Sequence, residues 1–190
     1  MKQLEIGIQP RVLDEATTHA AARLGFEYDR FKLDKSLRVS MITLGTIGQI
    51  IFRDYLMSQA VKFEFQLQAG RYDDFDFKVD NKIIEIKTSG YESGSKWKTL
   101  NGIYNFDQYT NALMKNFYCF VQVFISGYDI KTKILDLSKC NRAVLAGWLE
   151  ISDIATFPIR KLPFGDAYLI PVSSMNQMGT FKKNFKLTGS

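Results

Sequence analysis

The 190-residue sequence contains only one histidine and two cysteines, His19, Cys119 and Cys140. They are scattered without the spacing of a zinc-binding motif, so a site built from imidazole and thiolate ligands is not expected. We expect Cys119, inside an apolar run, to be buried, and His19, in an alanine-rich stretch, to be structural. Oxygen ligands should therefore hold any bound metal, which favours Mg²⁺, with Mn²⁺ able to substitute.

The sequence also lacks a recognisable signal peptide and an apolar run long enough to span a membrane. We therefore expect a soluble, cytoplasmic protein with no membrane partner. Hydrophobic residues make up 46% of the chain and aromatic residues 14%, which is enough for a folded core. The formal net charge of +5 fits a polyanionic partner, although many proteins without such a partner share it.

Hydrophobic periodicity predicts one mixed α/β domain over residues 1–190, with a mixed central β-sheet flanked by helices. Ser40 or Thr43 is expected to cap the second helix and Asn105 the third, while residues 27–40 are expected to form a connecting segment. Further short strands and a helix are expected in the C-terminal third. The predicted helices are 11–24, 41–59 and 105–116, and the predicted strands are 61–68, 74–79, 82–88 and 117–125.

Two of these strands are separated only by Asp80-Asn81, which is a two-residue hairpin signal. This turn would bring Asp76 opposite Glu85 and Asp74 opposite Lys87, all on one side of the sheet. The opposite side would carry only hydrophobic side chains, and this separation fixes the register. Those hydrophobic residues are Phe75, Phe77, Val79, Ile84 and Ile86.

The polar side of this hairpin has the groups needed for metal-assisted hydrolysis. Carboxylates at Asp76 and Glu85, roughly 5 Å apart, would repel each other unless a cation lay between them. Mg²⁺ binds to one or two such carboxylates, and the carbonyl oxygen of Ile86 could add a further ligand. Lys87 could hold a phosphate oxygen or stabilise the attacking hydroxide. The pattern predicts phosphodiester hydrolysis.

An acidic residue two positions before a lysine occurs four times in the sequence, so this spacing alone is a weak signal. Glu85 and Lys87 differ from the other pairs because they lie among isoleucines on a central strand, where charges are costly. Asp76 also faces them across the hairpin. The alternative is an exposed hairpin whose charges form ordinary cross-strand pairs.

The stretch GRYDDFDFKVDNKIIEIKTSG resembles the core motif of the PD-(D/E)XK nuclease superfamily, which has the restriction-endonuclease-like fold. The resemblance covers residues 40–126 in the order helix, strand, D…ExK hairpin, helix and buried strand. It implies metal binding by Asp76 and Glu85, with Lys87 as the catalytic lysine. Asp74 competes with Asp76 for the first position, and the hairpin register favours Asp76.

Many members of this superfamily also have a glutamate on the helix that precedes these strands. In this sequence Gln49 occupies the corresponding position. Glutamine can position a water or a phosphate but adds no negative charge, which weakens the case for a second metal. Arg53, one helical turn later, could reach a phosphate or could be an ordinary surface arginine.

The stretch GYESGSKWKTLNGIYN, which follows the ExK strand, combines Lys96, Trp97 and Lys98. Interleaved basic and aromatic side chains suit phosphate contact and base stacking, so this predicted loop is a candidate nucleic-acid-binding segment. The alternative is a surface loop with a partly buried tryptophan.

These features predict a Mg²⁺-dependent deoxyribonuclease, an endonuclease of restriction or repair type. Because one such site cuts one strand, cleavage of a duplex would require a homodimer or two successive visits. The principal alternative is a catalytically inactive nucleic-acid-binding module on the same fold, which the glutamine at position 49 favours. The other alternative is a structural protein whose hairpin charges are only surface pairs.

Overall fold

The computed structural model describes residues 3–24, 34–67, 75–163 and 165–185. The helices of this part of the chain are α1 (Pro10–Arg23), α2 (Lys35–Ser58), α3 (Phe106–Met114) and α4 (Met178–Asn184). The strands are β1 (Leu4–Gly7), β2 (Glu64–Phe65), β3 (Phe77–Val79), β4 (Lys82–Tyr91), β5 (Asn101–Asn105), β6 (Phe117–Ser126), β7 (Tyr128–Asp129), β8 (Ile134–Leu135), β9 (Arg142–Glu150), β10 (Ile159–Leu162) and β11 (Gly165–Pro171).

The main sheet has six strands in the order β1-β9-β6-β4-β3-β2. Strands β4 and β6 run parallel, and the other neighbouring pairs are antiparallel. Strands β10, β11 and β5 form a smaller antiparallel sheet, and β7 pairs with β8. The mixed sheet with its helices confirms the predicted α/β class.

The main sheet is covered on both faces. One face packs against α2, whose buried side chains include Ile47 and Ile51, and β6 contributes Val121 and Val123 to the same cluster. The smaller sheet covers the other face, where the ring of Tyr104 on β5 packs edge-on against Phe120 on β6. Burial on both faces explains why β6 is an almost unbroken hydrophobic run.

Helix α2 begins at Lys35, six residues earlier than predicted. Its N-cap is Asp34, whose carboxylate accepts hydrogen bonds from the backbone N–H groups of Ser36 and Leu37. The expected caps were therefore wrong. Ser40 and Thr43 lie buried inside the helix, and the Ser40 hydroxyl accepts a 2.7 Å hydrogen bond from the Leu135 N–H group. Ser40 therefore serves a tertiary contact between α2 and β8 and does not cap the helix.

Other predictions had mixed outcomes. The first helix agrees with α1 to within one residue, and β6 is buried as predicted. The predicted strand 61–68 shortens to Glu64–Phe65, and Gln68 lies outside the described residues. Asn105 occupies the N-cap position of α3, but its side chain makes no capping hydrogen bond. No helix in the described ranges is long and apolar enough to cross a membrane.

Helix α2 approaches β4 closely at Gly48. A Cβ atom there would overlap the Thr88 side chain, whereas one at Gly45 would have open space around it. We expect Gly48→Ala to lower the free energy of unfolding by about 1–3 kcal/mol because of this overlap. The matched Gly45→Ala variant should raise it by up to about 1 kcal/mol, since alanine favours helix. Urea unfolding measures both, and a gain of stability in both variants would contradict the contact.

Candidate functional site

The hairpin between β3 and β4 has the predicted register. Asp80 and Asn81 form its turn with positive φ angles of 48° and 60°, as a type I′ turn requires. Phe77 lies opposite Ile84. The ladder ends at this pair, and Asp76 lies in a bend just before β3, where its carboxylate reaches Gln49 on α2. The predicted placement of Asp76 and Glu85 on one side of the sheet is therefore not observed.

The hydrophobic side of the hairpin is also as predicted. Its buried residues face α2 and belong to the main core: they are Phe77, Val79, Ile84 and Ile86. Phe75 lies just before β3 and is partly buried. Asp74, the competing candidate for the first acidic position, lies outside the described residues.

Asp76 immediately precedes β3 and joins three elements through its carboxylate. One oxygen accepts a 2.6 Å hydrogen bond from the Ile86 N–H group on β4. The other accepts a 2.6 Å hydrogen bond from the side-chain amide of Gln49 on α2. Gln49, predicted as an accessory residue, therefore holds the first acidic residue in place.

The Ile86 backbone faces the side of β4 on which β3 begins. In an antiparallel ladder the N–H and C=O groups of one residue point to the same neighbour. The ladder ends at Phe77 and Ile84, so the Asp76 carboxylate takes the position where the next pairing strand would supply an acceptor. The Ile86 carbonyl consequently points to the same side as its N–H group, toward Asp76.

Asp76 is partly buried, and desolvation raises the pKa of its carboxyl group from 3.8 to about 6. The hydrogen bond from the Ile86 N–H group lowers this pKa, and the negative charge of Glu85 raises it. The charge of Lys87 and the hydrogen bond from Gln49 also lower the pKa, but burial is the largest cause and the net shift is upward. Desolvation therefore disfavours the ionised carboxylate more than its hydrogen bonds and the nearby Lys87 favour it.

Glu85 and Lys87 point to the opposite side of β4, toward the smaller sheet. The Lys87 ammonium group forms an ion pair with one Glu85 oxygen and donates a 3.0 Å hydrogen bond to the side-chain oxygen of Gln108. The Lys87 and Glu85 side chains are 13% and 18% exposed. The pair is largely shielded but still reachable from solvent.

Tyr104 contacts both members of this pair. Its hydroxyl group donates a hydrogen bond to the second oxygen of Glu85. The Lys87 nitrogen lies 4.6 Å from the centre of its ring, in cation–π geometry. Because Tyr104 is fully buried against Phe120, its ring is a rigid support that orients both charged side chains.

The structure thus adds two residues that sequence reasoning missed as site residues, Tyr104 and Gln108. Both belong to the segment that connects β4 to the parallel strand β6. A crossover of this kind returns across one face of the sheet, so its polar residues could have been examined as neighbours of Lys87. Nothing in the sequence around Tyr104 and Gln108 indicated that these two residues contact Glu85 and Lys87.

Arg53 lies on α2, one turn after Gln49, and is bound to acidic side chains. Its guanidinium group makes hydrogen bonds of 2.5 and 3.0 Å to the two carboxylate oxygens of Glu15 on α1. It also contacts Asp54 at 3.2 Å. These contacts join α1 to α2 and favour the structural interpretation of Arg53 over a phosphate contact.

The segment predicted to be a nucleic-acid-binding loop is more ordered than expected, because β4 extends to Tyr91 and a short 3₁₀ turn precedes β5. Trp97 is only 5% exposed and packs in a cluster with Tyr91. Its ring therefore has no open face for base stacking. Lys96 and Lys98 are exposed and stay available for phosphate contact.

The ligands available for a metal are few. Within the described ranges, no group of three or more histidine, cysteine, aspartate or glutamate side chains gathers as a ready cage. Asp76, Glu85 and the Ile86 carbonyl supply hard oxygen donors, the type that suits Mg²⁺ when water and phosphate complete its coordination.

Comparison with protein-family models, with curated proteins and with solved structures gave no match to this chain. The arguments for function therefore come from the chain's own residues and their geometry.

The raised pKa of Asp76 predicts how metal-free protein responds to pH. Because the fold favours the protonated carboxyl group, the free energy of unfolding should fall as pH rises from about 4 to about 6. Asp76→Asn should remove this loss and be more stable than wild type at pH 7.5 by about 1–3 kcal/mol. Asparagine still accepts from the Ile86 N–H group, and the Gln49 amide can rotate to accept from its NH₂ group.

Urea unfolding in EDTA across this pH range measures the difference between the two proteins. Asp166→Asn is the matched control, because Asp166 is exposed at the start of β11. A difference between wild type and Asp76→Asn that stays constant with pH would contradict the assignment of the raised pKa to Asp76.

Proposed function

We propose that this chain is a Mg²⁺-dependent nuclease that hydrolyses phosphodiester bonds in DNA, as an endonuclease of restriction or repair type. One observation carries the proposal. A tight hairpin holds Asp76 against the Ile86 amide at the point where β3 begins, with Glu85 and Lys87 on either side of Ile86. The charges of Glu85 and Lys87, on the other face of β4, lie close enough to shift the pKa of Asp76, and the proposed cation would bind at the strand edge between the two carboxylates.

The order of elements supports a restriction-endonuclease-like fold. Helix α2, strand β2, the β3–β4 hairpin, helix α3 and the buried strand β6 follow one another along the chain. This is the order that the PD-(D/E)XK resemblance implies for residues 40–126, with β5 added before α3. Asp76 immediately precedes β3 and Glu85-Ile86-Lys87 lies on β4, which agrees with the placement of that motif.

In this proposal Asp76, Glu85 and the Ile86 carbonyl hold Mg²⁺, for which Mn²⁺ can substitute. When bound, the cation lowers the pKa of a coordinated water and neutralises charge on the phosphate. The chain's own task is to keep these oxygens in position. Gln49 and the Ile86 N–H group fix Asp76, and Tyr104 fixes Glu85.

Lys87 has a donor to spare for the reaction. An ammonium group has three N–H donors, and two of them are directed at Glu85 and Gln108. The third can hold a phosphate oxygen or the attacking hydroxide. Since Gln49 adds no negative charge, the site has ligands for one cation rather than two. Cleavage of both strands of a duplex would then need a homodimer or two visits.

A binding module without catalysis is the second candidate, and one observation favours it. All four carboxylate oxygens of Asp76 and Glu85 already accept a hydrogen bond from the chain itself. A site satisfied in this way can persist without a cation. Such a module would bind DNA in a salt-sensitive manner in EDTA and would not cut it.

The first test is cleavage of supercoiled plasmid DNA by the purified protein with Mg²⁺, Mn²⁺ or EDTA. We expect nicking with either cation and none in EDTA. Glu85→Gln should lower the rate by about 100-fold or more, because loss of a ligand should cost at least as much as loss of an outer contact. The matched Glu92→Gln variant changes an exposed glutamate in the turn after β4 and should cut as wild type does.

Parallel reactions on labelled RNA establish whether deoxyribose is required. Salt-sensitive retention of the plasmid without cleavage in any metal would support the binding module instead. Equal cleavage by Glu85→Gln and Glu92→Gln would reject this site.

Gln49→Glu probes the difference between this chain and most members of the superfamily. The change replaces the amide that donates to Asp76 with a second carboxylate. In EDTA we expect the melting temperature to fall by about 2–8 °C, as a loss of about 1–2 kcal/mol implies for a chain of this length. Saturating Mn²⁺ should restore more stability in this variant than in wild type, because the added charge favours a cation. Thermal unfolding with and without Mn²⁺ measures both effects, and equal Mn²⁺ stabilisation would contradict a metal at this position.

A further inference from the structure

Three aromatic rings lie beside the candidate site, and we define Phe106, Tyr109 and Tyr168 as the aromatic platform. The ring of Phe106 is stacked on Tyr168 with centroids 6.1 Å apart. Tyr109 meets Tyr168 edge-on at 5.1 Å. Tyr168 is only 4% exposed and forms the floor of the platform, whereas Phe106 is 42% exposed and presents an open face.

The aromatic platform is continuous with the charged residues of the site. Tyr104, which donates to Glu85, comes two residues before Phe106. Gln108, which accepts from Lys87, lies between Phe106 and Tyr109 in the first turn of α3. Tyr168 lies directly opposite Tyr104 on the neighbouring strand, so the ring stacked on Tyr168 is separated from Glu85 by two side chains.

We propose that Phe106 stacks on an unpaired base next to the phosphodiester at the Asp76, Glu85 and Lys87 site. The preferred substrate is then DNA with a single-stranded segment at the cut. This inference rests on the proposed function and narrows its substrate class. A paired base inside a duplex is covered on both faces by its neighbours, so an aromatic side chain stacks readily only on a base that has left the helix.

The test measures binding in EDTA, where no cleavage occurs. The probe is a single strand of about 12 nucleotides with a central 2-aminopurine, compared with the same strand in a duplex. We expect tighter binding of the single strand, and quenching of the 2-aminopurine fluorescence on binding. Phe106→Ala should weaken single-strand binding by about tenfold and reduce the quenching, since stacking on one side chain accounts for an effect of this size.

Phe106→Trp should keep both binding and quenching, which separates stacking from a general loss of structure. Leu113→Ala is the matched control, because Leu113 is 46% exposed on the same helix. Unchanged single-strand affinity in Phe106→Ala would overturn the inference, as would equal affinity for the duplex. A wild-type dimer that Phe106→Ala converts to a monomer would also overturn it, because the ring would then be a contact between copies.

The two proposals fail separately. Phe106-dependent binding of single strands by a protein that never cuts DNA would support the aromatic platform and reject the nuclease. Metal-dependent cleavage of plasmid, with no effect of Phe106→Ala on either binding or cutting, would support the nuclease and reject the stacking role of Phe106.

Discussion

The hydrogen bond from the Ile86 N–H group to the Asp76 carboxylate determines the local form of the sheet. It takes the position that a backbone carbonyl of β3 would occupy in a longer ladder, so pairing ends at Phe77 while β4 runs on to Tyr91. A buried amide without an acceptor would be costly, and the side chain removes that cost. The same exchange leaves the Ile86 carbonyl facing the carboxylate. The hydrogen bond that ends the pairing of β3 with β4 therefore also positions Asp76 in the candidate site.

The two faces of β4 then have separate roles. On one face α2 comes close enough at Gly48 to bring Gln49 within 2.6 Å of Asp76. On the other, the smaller sheet covers β4 and holds Tyr104 against Glu85 and Lys87. Charged groups in such a position are stable only when they are fully hydrogen-bonded. Rigid elements on both faces thus fix the positions of these polar side chains.

Local patterns were enough to predict the hairpin between β3 and β4 and the hydrophobic side of that hairpin. Asp80-Asn81 set the register, and the alternation of hydrophobic and charged residues set the faces, because both signals act over a few neighbouring residues. Asp34 was missed as the cap of α2 because Ser40 and Thr43 appear equally suited until their tertiary contacts are known.

Contacts distant in sequence could not be predicted. Trp97 resembles a binding residue in the sequence, but its burial depends on β6 and β9, which follow much later in the chain. The small sheet that carries Tyr104 pairs β5 with β11, which are separated by about a third of the chain. No periodic signal reports such a pairing, so the burial of Trp97 could not be read from the sequence.

The hydrogen bonds that satisfy both carboxylates also bear on whether the site is only structural. An ionised carboxylate has about four acceptor positions, so one bond to each oxygen leaves room for a cation. If stability alone were at stake, hydrophobic residues at positions 85 and 87 would do as well, since shielded ion pairs seldom stabilise more than well-packed apolar side chains. The pair of Lys78 with Glu64 shows the ordinary alternative, with side chains that are 32% and 66% exposed. The chain instead keeps Glu85 and Lys87 shielded yet reachable, beside a carboxyl group whose pKa is raised to about 6. Shielded charges that keep contact with solvent favour a site for a ligand over a structural pair.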